Sequence, residues 1–463
     1  MKKRIFYDDS LREFAFIIGS LIGMDSFEKN FFLRDAKGKL TFVLRENITE
    51  DSITSINNSA KKRLHQYIDE DFAVSHVSEL FDDELEHLEL TDDYKKVIML
   101  GDDIINIFYI ERRIIGGDWQ RYFADYKGPA RLVFSSIKGG VGRTTALCVI
   151  ATSLARSGKR VLAIDLDLEA PGLGNMLLTE DTLPELGLLD YFVEKNLNNF
   201  YESDLVDLIG SSWLSDGKGK IDVIPAIGKK SIQNPQNVIG KISRAYLSRM
   251  SENGSYLTIM DNLRDLLSIF NRHRYDAILI DARAGLHETT AAALVGLGAE
   301  VFCFGVDQSQ TLQGYELLFA SIAENKASLS EINGWIDHLH FVHAKASLEK
   351  DKRDIFASKI NDLAYRYFVE HKKDKSFNIE SDILSLKDSF EVTWADSLEL
   401  DEQLLDGLIE EPIMNEVLAV LNDNRFTEFD PLLDRDSLSE SVYNVTFGSI
   451  IKKAKLLVEQ ARS

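Results

Sequence analysis

The chain has 463 residues, of which 44% are hydrophobic, and a formal net charge of −22; a length of this order predicts roughly two to four domains. The acidity argues against non-specific attraction to DNA or to anionic lipid, and no stretch reaches the ~18 uninterrupted apolar residues of a membrane-spanning helix, so we expect a soluble, cytoplasmic protein. Cys148 and Cys303 stand far apart in apolar surroundings, which excludes a disulfide framework or a zinc knuckle built from paired cysteines.

The first part of the chain, residues 1–128, is predicted to be a separate accessory domain that is mostly helical. The sequence Tyr126-Lys-Gly-Pro129 marks its end, because proline and glycine interrupt the preceding pattern. The elements that we predict within it are helices at Leu11–Met24, Ile53–Tyr67 and Tyr94–Arg113 and a strand at Leu40–Leu44.

From Ala130 the sequence alternates between short apolar strands and helices. This alternation predicts an α/β domain over residues 129–400, with a mostly parallel sheet covered by helices on both faces. Residues 401–463 are predicted to form a helical C-terminal extension. The predicted strands are Arg131–Ser136, Val161–Asp165, Ile221–Pro225, Ala277–Asp281, Val301–Val306, His338–His343 and Phe390–Trp394.

A glycine-rich segment follows the first of these strands and precedes a helix. Such a loop can fold tightly and aim backbone N–H groups at phosphate, with the positive end of the helix dipole behind them. Thr144 stands where a hydroxyl can ligate Mg²⁺. The candidate nucleotide-binding residues are Lys138, Gly139, Gly140, Val141, Gly142, Arg143, Thr144 and Thr145.

This segment resembles the deviant Walker A loop of the ParA/MinD-like ATPases, since an extra lysine stands near its start. The resemblance implies that Lys138 reaches across a nucleotide-sandwich dimer to the phosphates of the partner. The second basic position of that loop is normally lysine and is Arg143 here. Arginine keeps the charge but is planar and longer, so slow or partner-stimulated hydrolysis is expected.

Two further acidic motifs match the same family. Asp165 and Asp167 end the second strand, and the resemblance implies that Asp165 supports Mg²⁺ while Asp167 orients the attacking water. Asp281 ends an apolar strand in the Walker B position, where its carboxylate would contact Thr144 or Mg²⁺-bound water. Arg283 lies two residues further on and is expected either to contact phosphate or a partner subunit or to be a plain surface arginine.

The leading hypothesis is an ATPase (ATP + water to ADP + phosphate) that acts as a molecular switch and dimerises with ATP and Mg²⁺. The switch would regulate or position a protein partner, which binds through residues 1–128 or the C-terminal region. The alternatives are a nucleotide sensor that does not hydrolyse and a DNA-associated partition-type ATPase, and GTP in place of ATP stays open. Lys345 and Trp394 are candidates to frame the base. The amphipathic end, Ile450–Ser463, fits weak membrane docking or packing onto the body.

Overall fold

A computed structural model of the protein describes residues 4–69, 72–91, 94–101, 103–113, 116–122, 126, 128–250, 256–271, 275–324, 335–370 and 416–461. These residues form two compact units, one up to Gly117 and one from Asp118 onward. The predicted strand Phe390–Trp394, and with it Trp394 as a candidate base contact, lies outside the described residues.

The first unit contains a five-stranded sheet with the order β3-β2-β1-β5-β4. Phe14 and Ile18 of the first helix pack with Phe32, Phe42 and Ile56 in one hydrophobic core, which joins the helices to the sheet. The two N-terminal helices and the strand predicted from the sequence are present. The elements are α1 (Tyr7–Ile22), β1 (Phe31–Arg34), β2 (Leu40–Leu44), α2 (Glu50–Leu64), β3 (Val74–His76), α3 (Asp83–Glu86), β4 (Lys95–Leu100) and β5 (Asp103–Glu111).

The predicted helix over Tyr94–Arg113 is wrong, because β4 and β5 form an antiparallel hairpin there. Along β4, Ile98 and Leu100 are buried whereas Val97 and Met99 are exposed, which is the alternation of a strand. The segment is rich in β-branched residues, which favour a pleated surface over a helix. The first unit therefore contains more strand than the sequence pattern indicates.

The second unit contains an eight-stranded sheet with the order β15-β14-β13-β6-β12-β7-β9-β8, in which β8 alone among the described strands of this sheet runs antiparallel to its neighbour. Its strands are β6 (Ala130–Ser136), β7 (Arg160–Asp165), β8 (Gly210–Ser212), β9 (Lys220–Ile224), β12 (Ala277–Asp281), β13 (Glu300–Gly305), β14 (Leu339–Ala346) and β15 (Leu418–Leu421), and β10 (Arg249–Met250) pairs separately with β11 (Tyr256–Leu257). Its helices are α4 (Arg143–Arg156), α5 (Leu173–Leu177), α6 (Leu188–Asn196), α7 (Lys229–Gln233), α8 (Val238–Ala245), α9 (Ile259–Asn271), α10 (Glu288–Val295), α11 (Ser309–Glu324), α12 (Lys350–Tyr365) and α13 (Glu440–Gln460).

The centre of this unit is α4, which is buried almost all round. Its residues from Ala146 to Ala155 are all buried. One side of α4 contacts β6, β7 and β12, and another side contacts α13. The first turn of α4, which follows the glycine-rich loop, therefore continues directly into a helix that a dense core holds in place.

The end of the chain contributes a strand as well as a helix. β15 pairs in parallel with β14 and extends the sheet, so the region predicted as a helical extension also carries a strand of the main sheet. The amphipathic end turns its apolar side chains inward, with Ile450, Ile451 and Leu457 buried in the core around α4. Among the described helices, none combines the length and the apolarity needed to cross a bilayer.

A partly buried acid, Glu300, contacts two histidines where β13 and β14 begin. Glu300 is 2.8 Å from His338 Nδ1 and 2.6 Å from His340 Nε2. Burial raises the pKa of Glu300, but the hydrogen bonds from the two imidazoles outweigh burial and lower the pKa to about 2. The hydrogen bond to Glu300 raises the pKa of His338, whereas burial lowers that of His340.

Replacing this acid, Glu300→Gln, should lower the Tm by more at pH 5.5 than at pH 8. The contribution of His338 is full below its ordinary pKa of 6.5 and is lost as the pH rises through the raised value. The contribution of Glu300 is full above its ordinary pKa of 4.5 and is lost as the pH falls towards about 2. Thermal unfolding at both pH values tests this, with the exposed Glu349→Gln as a control; an equal loss at both would contradict it.

Candidate nucleotide-binding site

The glycine-rich loop leaves the carboxyl end of β6 and enters α4 at Arg143. Gly140 and Gly142 have φ angles of 71° and 90°, a left-handed conformation that side chains disfavour, so glycine is required at both. Ser136 Oγ donates to the carbonyl of Lys138 (2.7 Å) and pins the start of the loop. The loop and the first turn of α4 thus have the form of an anion cradle.

Thr144 and Asp281 meet at the base of this loop. Thr144 Oγ1 donates to Asp281 Oδ2 over 2.5 Å. Asp281 ends β12, which lies directly beside β6, and this brings the two motifs together although they are far apart in sequence. The other oxygen, Asp281 Oδ1, is buried and makes no hydrogen bond.

Asp165 lies opposite Asp281 on the neighbouring strand β7, and both side chains are buried. Its Oδ1 accepts from the N–H of Asp167 (3.1 Å), and its Oδ2 accepts from the N–H groups of Gly172 (3.2 Å) and Leu173 (3.0 Å). Burial and the adjacent carboxylate raise the pKa of Asp165, and burial raises that of Asp281, partly offset by Arg143. A cation beside the pair would oppose both shifts.

Arg143 points at these carboxylates and is only 8% exposed. Its Nη2 lies 3.7 Å from Asp167 Oδ2 and its Nε lies 3.8 Å from Asp281 Oδ1. Its Nη1 is buried without a hydrogen bond. The guanidinium therefore neutralises the acidic cluster at a distance without closing a hydrogen bond to it.

Asp167 stands at the edge of this cluster and is less buried than its neighbours. Its Oδ1 accepts from the N–H of Ala170 over 3.2 Å. Burial raises the pKa of Asp167, and the charges of Arg143 and Arg283 oppose that rise. At the start of the loop, Lys138 Nζ donates to Gln308 Oε1 over 2.8 Å.

The donor set fits Mg²⁺ bound together with a nucleotide. Mg²⁺ is usually held by one or two carboxylates, phosphate oxygens and water, rather than by a cage of protein ligands. The Oδ1 of Asp281, which accepts no hydrogen bond, and the hydroxyl of Thr144 are oxygen ligands that would suit Mg²⁺ here. Across the part of the chain that the structure describes, no three histidine, cysteine or acidic side chains converge on a metal site of their own.

A cleft of about 330 Å³ opens beside the loop and has a wall that the sequence analysis misses. One side is formed by residues 140–145 and the other by residues 420–423, Phe426, Thr427, Thr446 and Phe447. Lys345, predicted as a base contact, lines the cleft from a left-handed conformation with a φ of 51°. The polar run that follows Leu421 is the one sequence signal for this wall, and it resembles an ordinary loop.

An ordered carboxylate faces into this cleft. Asp423 accepts from Arg425 Nη2 (2.7 Å) and from Thr446 Oγ1 (2.6 Å). The hydrogen bond from Arg425 outweighs burial and, with that from Thr446, holds the pKa of Asp423 well below its usual range. The wall of the cleft therefore carries a carboxylate that stays ionised and is paired with a guanidinium.

A parallel sheet whose central strand runs into a glycine loop and a helix, with Thr144 bonded to an acid on the next strand, defines a P-loop nucleotide-binding protein. Residues 131–333 match the model of a protein family described as an AAA domain. This segment, which is less than half of the chain, resembles the P-loop domains of the ParA/MinD-like type.

One curated protein, an uncharacterized ATP-binding protein of Methanocaldococcus jannaschii, is 44% identical over 55 residues, which are 12% of this chain and 21% of that protein. The match thus spans about a fifth of the length of that relative.

Several solved structures are similar at low sequence identity. A ParA family ATPase from Chlorobium tepidum is 19% identical, with 51% of this chain and 80% of that chain covered and a TM-score of 0.35. The McdA–ATP complex from Cyanothece is 14% identical, with coverage of 73% and 97% and a TM-score of 0.38. The pNOB8 ParA bound to nonspecific DNA is 17% identical, with coverage of 72% and 99% and a TM-score of 0.35.

Proposed function

We propose that the chain binds ATP with Mg²⁺ at the loop from Lys138 to Thr145, hydrolyses it, and acts as a switch that dimerises around the nucleotide. The observation that carries the proposal is the contact of Thr144 with Asp281 at the base of the loop, with Asp167 at the edge of the same cluster. A hydroxyl, a buried acid and an outlying acid are the groups that phosphate transfer to water requires around a phosphate cradle.

Each group of residues at the site has a distinct role in hydrolysis. The loop N–H groups and the first turn of α4 bind the phosphates, and Thr144 and Asp281 hold Mg²⁺ and its water. When bound, Mg²⁺ supplies positive charge to the phosphate oxygens. Asp167 orients the attacking water, and Arg143 balances the charge of the acids from within.

Lys138 is the group that we assign to the dimer. Its present acceptor, Gln308, is neutral, and the contact lies at an exposed position. A phosphate oxygen of a partner-bound nucleotide is a charged acceptor and would form the stronger hydrogen bond. Exchange of Gln308 for phosphate is therefore favourable once a second subunit presents its nucleotide.

A protein partner would bind through residues 1–128. The unit up to Gly117 has its own core and lies outside the segment that matches the AAA family model. Its edge strand β4 exposes Val97 and Met99, which is apolar surface at a sheet edge. The C-terminal helix α13 is the weaker candidate for this role, because its apolar face is already buried.

A second candidate function, nucleotide sensing without hydrolysis, is favoured by the position of Arg143. Its guanidinium lies near Asp167 and Asp281, so its charge is shared with the acids that hydrolysis needs. A planar fork at this position is not equivalent to the compact ammonium of lysine. Nucleotide would then change the assembly of the protein without being consumed.

Two measurements distinguish hydrolysis from sensing: the release of phosphate from Mg-ATP, and light scattering, which reports the mass of the protein and hence its dimerisation. Asp167→Ala should slow release by about 100-fold or more, because it removes the group that orients water. ATP should still produce dimers of the variant, since the phosphate cradle is intact.

The matched control is Asp265→Ala, which removes an exposed aspartate paired with Lys195 and should release phosphate at the wild-type rate. ATP-dependent dimers without release from the wild type would favour the sensor. No response of mass or of phosphate to ATP or to GTP would overturn both functions.

A further inference from the structure

The loop that carries Asp167 is anchored at both ends by one buried carboxylate. The N–H groups of Asp167, Gly172 and Leu173 all donate to Asp165. The tip of the loop between these anchors carries Glu169. Because Asp167 accepts a hydrogen bond from Ala170 within the same loop, its orientation depends on how that tip is held.

Glu169 ties the tip to two other segments. Its Oε1 accepts from the hydroxyl of Tyr246 over 2.7 Å and forms an ion pair with Arg283 Nη1. Tyr246 directly follows α8, and Arg283 stands two residues after Asp281. One carboxylate thus joins the segment of Asp167, the segment of Asp281 and the end of α8.

The charges of this group are matched to one another. Burial, with the hydrogen bond to Glu169, raises the pKa of Tyr246, so the phenol stays protonated and donates. Burial and the charge of Arg283 lower the pKa of His287, whose ring lies 4.8 Å from that of Tyr246, so the imidazole is neutral at pH 7. The contact of Glu169 with Arg283 is therefore a compensated pair at the side of Asp167, and it adds no net charge there.

We propose that Glu169, held by Arg283 and Tyr246, is a positioning residue that fixes the Asp167 loop against the segment of Asp281. The inference rests on the proposed function, in which Asp167 orients the attacking water. A displacement of ~1 Å at such a group costs on the order of 100-fold in rate. The proposal also assigns Arg283 a role inside the subunit, in place of a contact with phosphate or a position as a plain surface arginine.

We call the contacts of Glu169 with Arg283 and Tyr246 the clamp. Amide hydrogen exchange of the full chain without nucleotide tests whether the clamp holds the Asp167 loop. Tyr246→Phe removes one hydroxyl and should speed exchange in residues 166–172 by about fivefold to tenfold, while the phosphate loop is unchanged. Glu169→Gln should act in the same direction and more strongly, because it also removes the charge paired with Arg283. The matched control is Tyr275→Phe, which removes an equivalent 2.7 Å hydrogen bond to Asp222 elsewhere in the unit and should leave these residues unchanged.

Phosphate release then tests the consequence for hydrolysis. Tyr246→Phe and Glu169→Gln should slow release by about tenfold or more while a fluorescent ADP binds within about twofold of the wild-type affinity. Unchanged exchange at residues 166–172 would overturn the proposal, as would equal effects of Tyr246→Phe and Tyr275→Phe. Faster exchange with an unchanged rate, in a wild type that hydrolyses, would also overturn it. If the wild type binds nucleotide but releases no phosphate, hydrolysis fails as a function and exchange alone decides the clamp.

Discussion

Asp281→Asn should raise the Tm of the nucleotide-free protein and weaken Mg-ATP binding by roughly 10- to 100-fold. Asp281 and Asp165 are buried side by side on adjoining strands, so the folded protein holds two carboxylates that repel each other. Asparagine removes one charge and keeps an oxygen that can accept from Thr144. The same substitution removes the carboxylate that would hold Mg²⁺, so stability and binding move in opposite directions.

The gain in Tm should depend on pH. Burial raises the pKa of both acids above the ordinary value of 3.8, so the folded protein binds these protons more tightly than the unfolded chain. The resulting penalty is absent below that value, grows as the pH rises from it towards the raised pKa values, and is complete above them. Unfolding in a chelator at pH 5 and pH 8 should therefore show the larger gain at pH 8.

The control for this substitution is Asp222→Asn on β9. Asp222 is also buried, but it accepts from Ser211 and Tyr275 and pairs with Lys220. Its replacement should lower the Tm and leave Mg-ATP binding unchanged. If Asp281→Asn lowered the Tm as well, the attraction of Arg143 for the acid would exceed the repulsion between the two carboxylates.

The phosphate site could be predicted from the sequence because each of its parts is local. The loop from Lys138 to Thr145 contains its glycines and lies between an adjacent strand and the start of a helix. Asp281 ends a strand whose other residues are all apolar. Parallel strands present their carboxyl ends at one edge of the sheet, so these motifs had to meet there. What the sequence could not show is the direction of Arg143, which depends on two acids from separate segments, Asp167 and Asp281.

The wall of the cleft could not be predicted, because its residues become neighbours only through the fold. β15 has four residues, too few to show a period, and it follows a long stretch outside the described residues. The prediction of a helix where β4 and β5 form a hairpin was wrong for another reason. The apolar residues of that segment fit a helical period as well as the alternation of a strand. The clamp at Glu169 joins three distant segments and gives no local signal at all.

Phe447→Ala should cost about 3–5 kcal/mol and lower the Tm of the second unit by about 6–20 °C. Phe447 of α13 is 2% exposed and packs edge to face on Phe426, with ring centroids 4.8 Å apart. Both rings also line the cleft beside the phosphate loop. Loss of the ring leaves a cavity between the end of the chain and α4, where the dense packing cannot collapse to fill it.

Calorimetry measures the loss, and Val445→Ala on the same helix is the control, because Val445 is 61% exposed and its truncation should change the Tm little.

The same pair of variants separates two roles of the C-terminal segment. If the segment is only a support for α4, nucleotide affinity in Phe447→Ala below its Tm should equal that of the wild type. If it forms the wall against which the base rests, affinity should fall in Phe447→Ala and not in Val445→Ala. A small loss of Tm in Phe447→Ala would contradict the packing of α13 into the core, and with it the placement of residues 416–461 as part of the nucleotide-binding unit.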